Sequence, residues 1–157
     1  MSETASGGCQ CGAVRFRGSK FGRASICHCR MCQKAFGGFF AALVTVHDLQ
    51  WTRGAPRTFA SSNKVQRGFC GDCGTPLSYD TGNGTIEIAV GAFDDPTIVP
   101  PAIQVNPTDK LGFFDGICSL PTRAAGADPE QEKFNASLVN YQHPDHDTAE
   151  WSPRGAH

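Results

Sequence analysis

The sequence predicts a mainly β domain with one helix near its C-terminus. Glycine (18) and proline (10) are frequent among the 157 residues, which is typical of a domain with many tight turns. Apolar spacing of the helical kind is scarce through the first two thirds of the chain, whereas short runs with strand patterns recur there. A chain of this length can bury a hydrophobic core without disulfides, so we expect it to form a single domain.

Several strands are predicted in the first half of the chain. Residues 13–17 alternate apolar and polar side chains, which is the pattern of a half-buried strand. Residues 39–46 (Phe-Phe-Ala-Ala-Leu-Val-Thr-Val) have the β-branched and aromatic content of a strand buried on both faces. Residues 51–56 have the composition of a turn, and the runs 56–59 and 65–69 are predicted to be short extended segments.

A β-hairpin is predicted in the middle of the chain. Residues 76–80 and 85–90 flank Thr-Gly-Asn-Gly at 81–84, which is a hairpin turn signal. Glu87 is expected to face outward, and residues 102–105 are predicted to form another extended stretch. Three residues of the second hairpin strand are expected to face the core: Ile86, Ile88 and Val90.

A helix is predicted over about residues 129–141. Asp128 is placed to cap its N-terminus, Pro129 suits the first helical position, and Gln131 completes a capping box. From residue 142 onward we expect a loosely held, solvated tail. The alternative for His143, Asp145, His146 and Asp147 is adventitious metal binding. Three apolar residues of the helix fall on one stripe: Phe134, Leu138 and Tyr141.

Charge and hydropathy exclude several classes of protein. The net charge of -1, with no stripe of Lys and Arg, predicts that the chain does not bind nucleic acid. No run of eighteen apolar residues occurs, so no membrane span is expected. Residues 1–8 are polar and small, unlike a secretory signal, and we therefore expect a cytoplasmic protein.

The eight cysteines fall into three groups and one isolated residue. Because the cytoplasm is reducing, clustered cysteines there indicate a metal site rather than disulfides. The groups are residues 9–11 (Cys-Gln-Cys), 27–32 (Cys-His-Cys-Arg-Met-Cys) and 70–74 (Cys-Gly-Asp-Cys-Gly). The isolated Cys118 is predicted to be a small buried apolar residue.

The first and third groups together predict one closed zinc site. Residues two apart in a strand point to the same face, so Cys9 and Cys11 can share an ion. The turn from Cys70 to Cys73 brings two further sulfurs together, and the following glycine lets backbone N–H groups turn toward them. Zinc prefers four soft ligands in a tetrahedron, so the two pairs predict a structural zinc held by four cysteines.

Cys27, Cys29 and Cys32 remain and are enough to hold a second zinc ion. Three protein ligands with a vacant fourth position make a catalytic arrangement, open to water or to a substrate sulfur. His28 is expected to point away from these sulfurs. Two alternatives stay open: a redox pair in which Cys29 and Cys32 form a disulfide with loss of zinc, or a single four-cysteine site with spare thiols.

Three segments together resemble the glutathione-dependent formaldehyde-activating enzyme family, which also includes the centromere protein V group. They are residues 7–15 (Gly-Gly-Cys-Gln-Cys-Gly-Ala-Val-Arg), 27–34 (Cys-His-Cys-Arg-Met-Cys-Gln-Lys) and 69–77 (Phe-Cys-Gly-Asp-Cys-Gly-Thr-Pro-Leu). Residues 90–96 (Val-Gly-Ala-Phe-Asp-Asp-Pro) match as well. The resemblance covers roughly residues 7–121 and rests on the order and spacing of all these motifs.

This resemblance implies a mainly β, zinc-binding beta-tent fold with two zinc ions. It implies a zinc-binding domain over residues 1–122, followed by an extension over residues 123–157 that contains the predicted helix and tail. It matches the closed site to the structural zinc and the middle group to the catalytic zinc. The metal ligands would be Cys9, Cys11, Cys70 and Cys73 for the first ion and Cys27, Cys29 and Cys32 for the second.

The activity implied by the resemblance is of the carbon–sulfur lyase type. Glutathione, or a similar small thiol, would add to formaldehyde to give S-hydroxymethylglutathione, with the second zinc ionising the thiol. Arg30, Gln33 and Lys34 are candidates to receive the carboxylates of glutathione; the alternative for them is a solvated basic face. Three nearby aromatic residues are expected to pack in the core rather than wall the pocket: Phe36, Phe39 and Phe40.

A second function class is a zinc module without catalytic activity that binds a thiol, a protein or another partner. A version of this module that is structural only requires the second cysteine group to be closed or to hold no ion. Neither class fixes the oligomeric state.

Overall fold

The computed structural model describes residues 4–152, which form two β-sheets with two α-helices and several short 3-10 helices. The mainly β prediction and the helix near the C-terminus are confirmed. The first residues of the predicted zinc-binding domain, 1–3, and the last residues of the predicted extension, 153–157, lie outside the described residues. The strands are β1 (Ala5–Gly8), β2 (Arg15–Gly18), β3 (Ser25–Cys27), β4 (Ala41–Val46), β5 (Gln50–Arg53), β6 (Arg57–Ala60), β7 (Gln66–Phe69), β8 (Pro76–Asp80), β9 (Ile86–Ala89) and β10 (Ile103–Val105).

The smaller sheet has the order β1-β2-β5, with both pairings antiparallel. The strand predicted over 13–17 is found as β2, two residues later. The turn predicted over 51–56 is wrong in its first half, because Trp51 lies in β5 directly opposite Phe16 of β2. The ring of Phe16 is fully buried and meets the rings of Trp51 and Phe93 edge to face, which fixes this sheet against the core.

The larger sheet has the order β10-β3-β4-β9-β8-β7-β6. The β10–β3 pair is parallel and the others are antiparallel, including the predicted hairpin of β8 and β9. Strand β4 is buried along most of its length, as its apolar composition predicts. Ile88 and Val90 are buried as expected, but Glu87 is not directed outward: it is half-buried beside a cavity described below.

A helix of seven residues, α1 (Arg30–Phe36), interrupts the strands and was not predicted. It is too short to show a helical period in the sequence. The Cys29 side chain caps its N-terminus by accepting a hydrogen bond from the Cys32 backbone N–H, and Gly37 ends it in the left-handed conformation with φ of 61°. The helix thus places two cysteines of the middle group on one turn.

The second helix, α2 (Pro129–Ser137), is four residues shorter than predicted at its C-terminus. The Asp128 side chain caps it by accepting a hydrogen bond from the Gln131 N–H, as the capping pattern predicts. The apolar stripe does not reach the core, since Phe134 and Leu138 are exposed and Leu138 lies beyond the helix. No helix among residues 4–152 has the length and apolar character needed to cross a membrane.

The segment after α2 is held against the smaller sheet, which contradicts the prediction of a loosely held tail. Asp147 accepts hydrogen bonds from Arg15 at 2.9 Å and from Arg17 at 2.8 Å, both in β2. Arg15 is buried and also forms a bidentate pair with Asp94, at 2.7 and 2.6 Å. The charge-assisted contacts that Asp147 makes with Arg15 and Arg17 hold the tail in place, and they join residues about 130 positions apart in the chain.

Replacing Asp147 with asparagine is expected to lower the free energy of unfolding by about 1–2 kcal/mol, since it removes two charge-assisted contacts from a partly buried carboxylate. Arg15 keeps its pair with Asp94, so the loss should stay local. Thermal unfolding should show a melting temperature lower by a few degrees. Asp145→Asn, an exposed change in the same segment, is the matched control; equal melting temperatures for both variants would contradict a docked tail.

Candidate metal centres

The sulfurs of Cys9, Cys11, Cys70 and Cys73 all lie within 4.8 Å of one another. The Cys9–Cys11 pair is separated by 3.6 Å and the Cys11–Cys70 pair by 3.8 Å. Four sulfurs bound tetrahedrally at about 2.3 Å from one zinc ion lie about 3.8 Å apart, so this donor set and spacing fit zinc. All four cysteines are reduced, and two of them, Cys9 and Cys70, are buried in the core.

Two turns of similar design present these sulfurs. One turn joins β1 to β2 and is closed by a hydrogen bond of 2.9 Å from the Cys9 N–H to the Val14 carbonyl. The other joins β7 to β8 and is closed by a hydrogen bond of 2.9 Å from the Cys70 N–H to the Thr75 carbonyl. A glycine with positive φ in each turn, Gly12 at 80° or Gly74 at 78°, reverses the chain at little steric cost. The predicted pairing of the first and third cysteine groups is therefore found.

The docked tail covers this closed cluster. The Trp151 indole N–H donates to the Cys11 carbonyl at 2.8 Å, and the His143 backbone N–H donates to the Gln10 carbonyl at 2.7 Å. The His143 side chain is buried and meets Thr148 and Arg53. The four-cysteine cluster is thus enclosed by the core on one side and by the tail on the other.

The second cluster brings together the sulfurs of Cys27, Cys29 and Cys32, again within 4.8 Å of one another. Cys27 ends β3, Cys29 caps α1, and Cys32 lies in the first turn of that helix. The cluster opens onto a cavity of about 380 Å³. This arrangement differs from the closed cluster because space for a further ligand lies beside the three sulfurs. Other residues line the cavity around them: Ser25, Met31, Leu43, Ser61, Val65, Arg67, Tyr79, Glu87, Val105 and Asn106.

Two side chains donate hydrogen bonds to sulfurs of this open cluster. The Arg67 Nη2 atom lies 3.2 Å from the Cys32 sulfur, and the Asn106 Nδ2 atom lies 3.2 Å from the Cys27 sulfur. Sequence reasoning missed both residues, since they are 35 and 79 positions from the cysteines they contact. The local sequence carries no signal for contacts of this kind.

The thiols of each cluster differ widely in acidity. Burial raises the pKa of Cys32 to about 12 against the opposing effect of Arg67. Burial acts in the same direction on Cys27, but hydrogen bonds from the Cys29 backbone and from Asn106 outweigh it, so the pKa of Cys27 is lowered. Ionising all the thiols of one cluster places several negative charges side by side, which is unfavourable. A divalent cation bound between the sulfurs offsets this repulsion.

The closed cluster shows the same division. Burial raises the pKa of Cys70 to about 11. For Cys73, burial is outweighed by hydrogen bonds from the Thr75 hydroxyl and backbone, and its pKa is lowered to about 6. The chemistry of both donor sets therefore suits a soft divalent metal, and each cluster could hold one zinc ion.

His28 is directed away from the sulfurs, as predicted. Its ring is fully buried, its Nε2 atom lies 2.9 Å from the Gln104 side-chain oxygen, and it packs edge to face on Phe114. Gln33 is also buried, and its amide nitrogen donates to the carbonyl oxygens of His28 at 2.6 Å and Asp109 at 3.0 Å. The Gln33 amide therefore joins the cysteine loop to the segment after β10.

Arg30 and Lys34 lie on the exposed face of α1, beside a second, more open depression of about 460 Å³. Met31 and Ser61 line both this depression and the cavity over the open cluster. The two basic residues therefore lie along a continuous surface that leads away from the three sulfurs. Arg30 also donates a hydrogen bond to the side-chain oxygen of Gln33.

Two further expectations are corrected. Cys118 is exposed on a 3-10 helix (Phe114–Ser119) rather than buried. Phe39 does not pack in the core either; it is half-exposed and meets the ring of Phe113 edge to face at 5.0 Å. Phe36 does pack against buried residues, as expected.

Comparisons with known proteins give a family match and a similar fold. A family model described as glutathione-dependent formaldehyde-activating enzyme matches residues 4–108. Among solved structures, one of a Rhodobacter sphaeroides protein is similar, with a TM-score of 0.51 and 21% identity, covering 64% of this chain and 99% of that chain. At that identity the likeness shows a shared fold alone. No curated protein matches the chain.

Proposed function

The chain belongs to the glutathione-dependent formaldehyde-activating enzyme family, and on that premise we propose that it is a zinc-dependent enzyme of the carbon–sulfur lyase type. Its substrates would be glutathione, or a similar small thiol, and formaldehyde. The observation that carries this proposal is the open three-cysteine cluster beside a cavity of about 380 Å³. We assign the activity to the cytoplasm, where reduced thiols are available.

The two clusters take different roles in this proposal. Cys9, Cys11, Cys70 and Cys73 hold a structural zinc ion under the docked tail. Residues 1–122 contain both clusters and form the zinc-binding domain, and residues 123–157 form the extension, in which His143 and Trp151 contact the closed cluster. The open cluster holds the second zinc ion through three catalytic ligands: Cys27, Cys29 and Cys32.

The reaction joins the substrate sulfur to the carbon of formaldehyde. The thiol loses its proton to solvent, a carbon–sulfur bond forms, and the carbonyl oxygen takes up a proton to give the S-hydroxymethyl product. Zinc bound by the three cysteines supplies ionisation of the substrate thiol at neutral pH, where a free thiol with a pKa of about 8.5 is mostly protonated. The cavity walls orient the thiol and limit the directions from which the aldehyde approaches.

Arg30 and Lys34 are assigned to the carboxylates of the thiol substrate. Their position along the surface that leads out of the cavity supports this, since glutathione carries its carboxylates away from its sulfur. Gln33 acts differently: with its amide used by His28 and Asp109, it positions the loop that carries Cys27 and Cys29. In this proposal Arg30 and Lys34 contact the substrate, whereas Gln33, the third predicted substrate-binding residue, positions the cysteine loop and does not contact the substrate.

Replacing Lys34 with alanine is expected to raise KM for glutathione about 1.4- to fivefold, because an exposed charge pair contributes about 0.2–1 kcal/mol. The value of kcat should stay within error, since the change is remote from the reacting sulfur. Steady-state kinetics with glutathione and with the uncharged thiol 2-mercaptoethanol measure this. Lys133→Ala, an exposed lysine on α2, is the control; an equal rise in KM for both thiols would contradict a carboxylate contact.

The function itself is tested by NMR exchange spectroscopy on mixtures of glutathione and formaldehyde. The addition proceeds without a catalyst, so the informative quantity is the exchange rate between formaldehyde and S-hydroxymethylglutathione. We expect this rate to rise in proportion to protein concentration. Unchanged exchange would refute an enzyme, and glutathione binding without faster exchange would indicate a thiol-binding module instead.

A further inference from the structure

Arg67 of β7 is a buried cation beside the open cluster. Its side chain is 3% exposed, its Nε atom donates to the Ser61 hydroxyl at 3.0 Å, and its guanidinium carbon lies 4.9 Å from the centre of the Tyr79 ring. Its Nη2 atom donates to the Cys32 sulfur at 3.2 Å. The remaining Nη1 atom is buried and has no hydrogen-bond partner in the described part of the chain.

A buried guanidinium is costly unless a negative charge lies beside it. Within residues 4–152, Arg67 forms no ion pair with a carboxylate. Glu87 lines the same cavity, where burial raises the pKa of its carboxyl against the opposing effect of Arg67, but its carboxylate forms no ion pair with Arg67. Among residues 4–152, the group that contacts the Arg67 guanidinium and can carry a negative charge is therefore the Cys32 sulfur, in its thiolate form.

Among residues 4–152, no charged group donates a hydrogen bond to the sulfurs of the closed cluster. Donors to its sulfurs are the backbone N–H groups of Val14 at 3.2 Å and Asp72 at 3.4 Å, together with the Thr75 hydroxyl at 3.1 Å. These donors are uncharged. An arginine is therefore not a general requirement for four cysteines around zinc in this fold, and its presence at the open cluster needs another reason.

The charge count supplies that reason. Three thiolates and one zinc ion carry a net charge of -1, and an anionic fourth ligand would bring this to -2 inside a partly enclosed cavity. The zinc ion, the three thiolates and the Arg67 guanidinium together carry no net charge. Binding of an anionic ligand then brings these groups to -1, whereas it would bring them to -2 without Arg67. Arg67 thus removes most of the electrostatic cost of admitting an anion.

We propose that Arg67 is a positioning residue of the open cluster, whose charge makes the site selective for an anionic thiolate over a neutral ligand. This inference rests on the proposed function and extends it to the chemical form in which the thiol is accepted. Arg67 does so through Cys32, by withdrawing negative charge from that sulfur. Asn106, which donates to Cys27, adds an uncharged hydrogen bond on the opposite side of the cluster.

The test compares Arg67→Met, which keeps most of the volume and removes the charge, with Arg67→Lys. Each protein is loaded with Co²⁺, and ligand binding is followed by the sulfur-to-cobalt charge-transfer absorption. For Arg67→Met we expect glutathione and 2-mercaptoethanol to bind at least about tenfold more weakly, while imidazole, a neutral ligand, changes much less. Arg67→Lys should restore part of the thiol affinity. Equal weakening for thiols and imidazole would overturn the proposal, because that indicates general distortion.

A second variant covers the case in which Arg67→Met does not fold. Asn106→Asp is nearly isosteric and suits the left-handed backbone at this position, where φ is 55°. It introduces a negative charge next to Cys27 and should weaken thiol binding selectively with Arg67 in place. Unaltered thiol affinity in Asn106→Asp would overturn the proposal. If cobalt in the wild-type protein does not respond to thiols at all, the proposed function fails first, so the two failures are distinguishable.

Discussion

Replacing Cys70 with serine is expected to remove the structural zinc and leave the chain largely unfolded at 37 °C. Cys70 is 1% exposed and belongs to the main core cluster as well as to the closed cysteine cluster. Structural zinc in zinc-finger peptides binds with about 10–16 kcal/mol, which is comparable to the whole stability of a domain, about 5–15 kcal/mol. Losing one of four ligands therefore threatens the fold itself. Circular dichroism and calorimetry would measure the loss.

Cys118→Ser is the matched control for that change, because it alters an exposed cysteine outside both clusters. It should keep the wild-type melting temperature. If Cys70→Ser melted within a few degrees of wild type and kept its zinc, the closed cluster would not be the structural centre described here.

Replacing Cys29 with serine is expected to return formaldehyde–glutathione exchange to its uncatalysed rate while the fold persists. Cys29 caps α1 through a hydrogen bond from the Cys32 N–H, and serine is a favoured residue at this capping position. The helix should therefore form normally. The open cluster, in contrast, would keep two thiolates. Two thiolate ligands are too few to retain the zinc ion that three hold in the wild-type protein.

The exchange rate by NMR and the melting temperature together check this second prediction. We expect loss of catalysed exchange with a melting temperature within a few degrees of wild type. Full activity in Cys29→Ser would exclude Cys29 as an essential ligand. Loss of folding in the same variant would show that the open cluster is structural, which contradicts the roles assigned to the two clusters.

The cysteine pattern could be predicted from the sequence because its determinants are local. Cys70 and Cys73 are three apart in a tight turn, as the sequence indicates. Cys9 and Cys11 are also brought together by local backbone geometry, but the prediction of a strand there is wrong, because they lie in the turn between β1 and β2. The hairpin of β8 and β9 was predicted for the same reason, since its turn is encoded in residues 81–84.

Features that depend on distant partners could not be predicted. Trp51 lies in a strand because it faces Phe16, and the tail is docked because Asp147 meets two arginines of β2. The contact between Arg67 of β7 and Cys32 of α1 joins residues 35 positions apart, which no local pattern encodes. The polar composition of the tail indicates a solvated segment, but its ion pairs with β2 hold it against the smaller sheet. Contacts between distant residues override local composition here.

The most direct test of the division into four and three ligands is zinc content per chain by elemental analysis. Wild type, Cys29→Ser and Cys118→Ser are compared, each with and without excess glutathione. We expect two zinc ions in wild type and in Cys118→Ser but one in Cys29→Ser. One ion in both wild type and Cys29→Ser, unaffected by glutathione, would contradict the open zinc site and leave a protein built around a single structural ion.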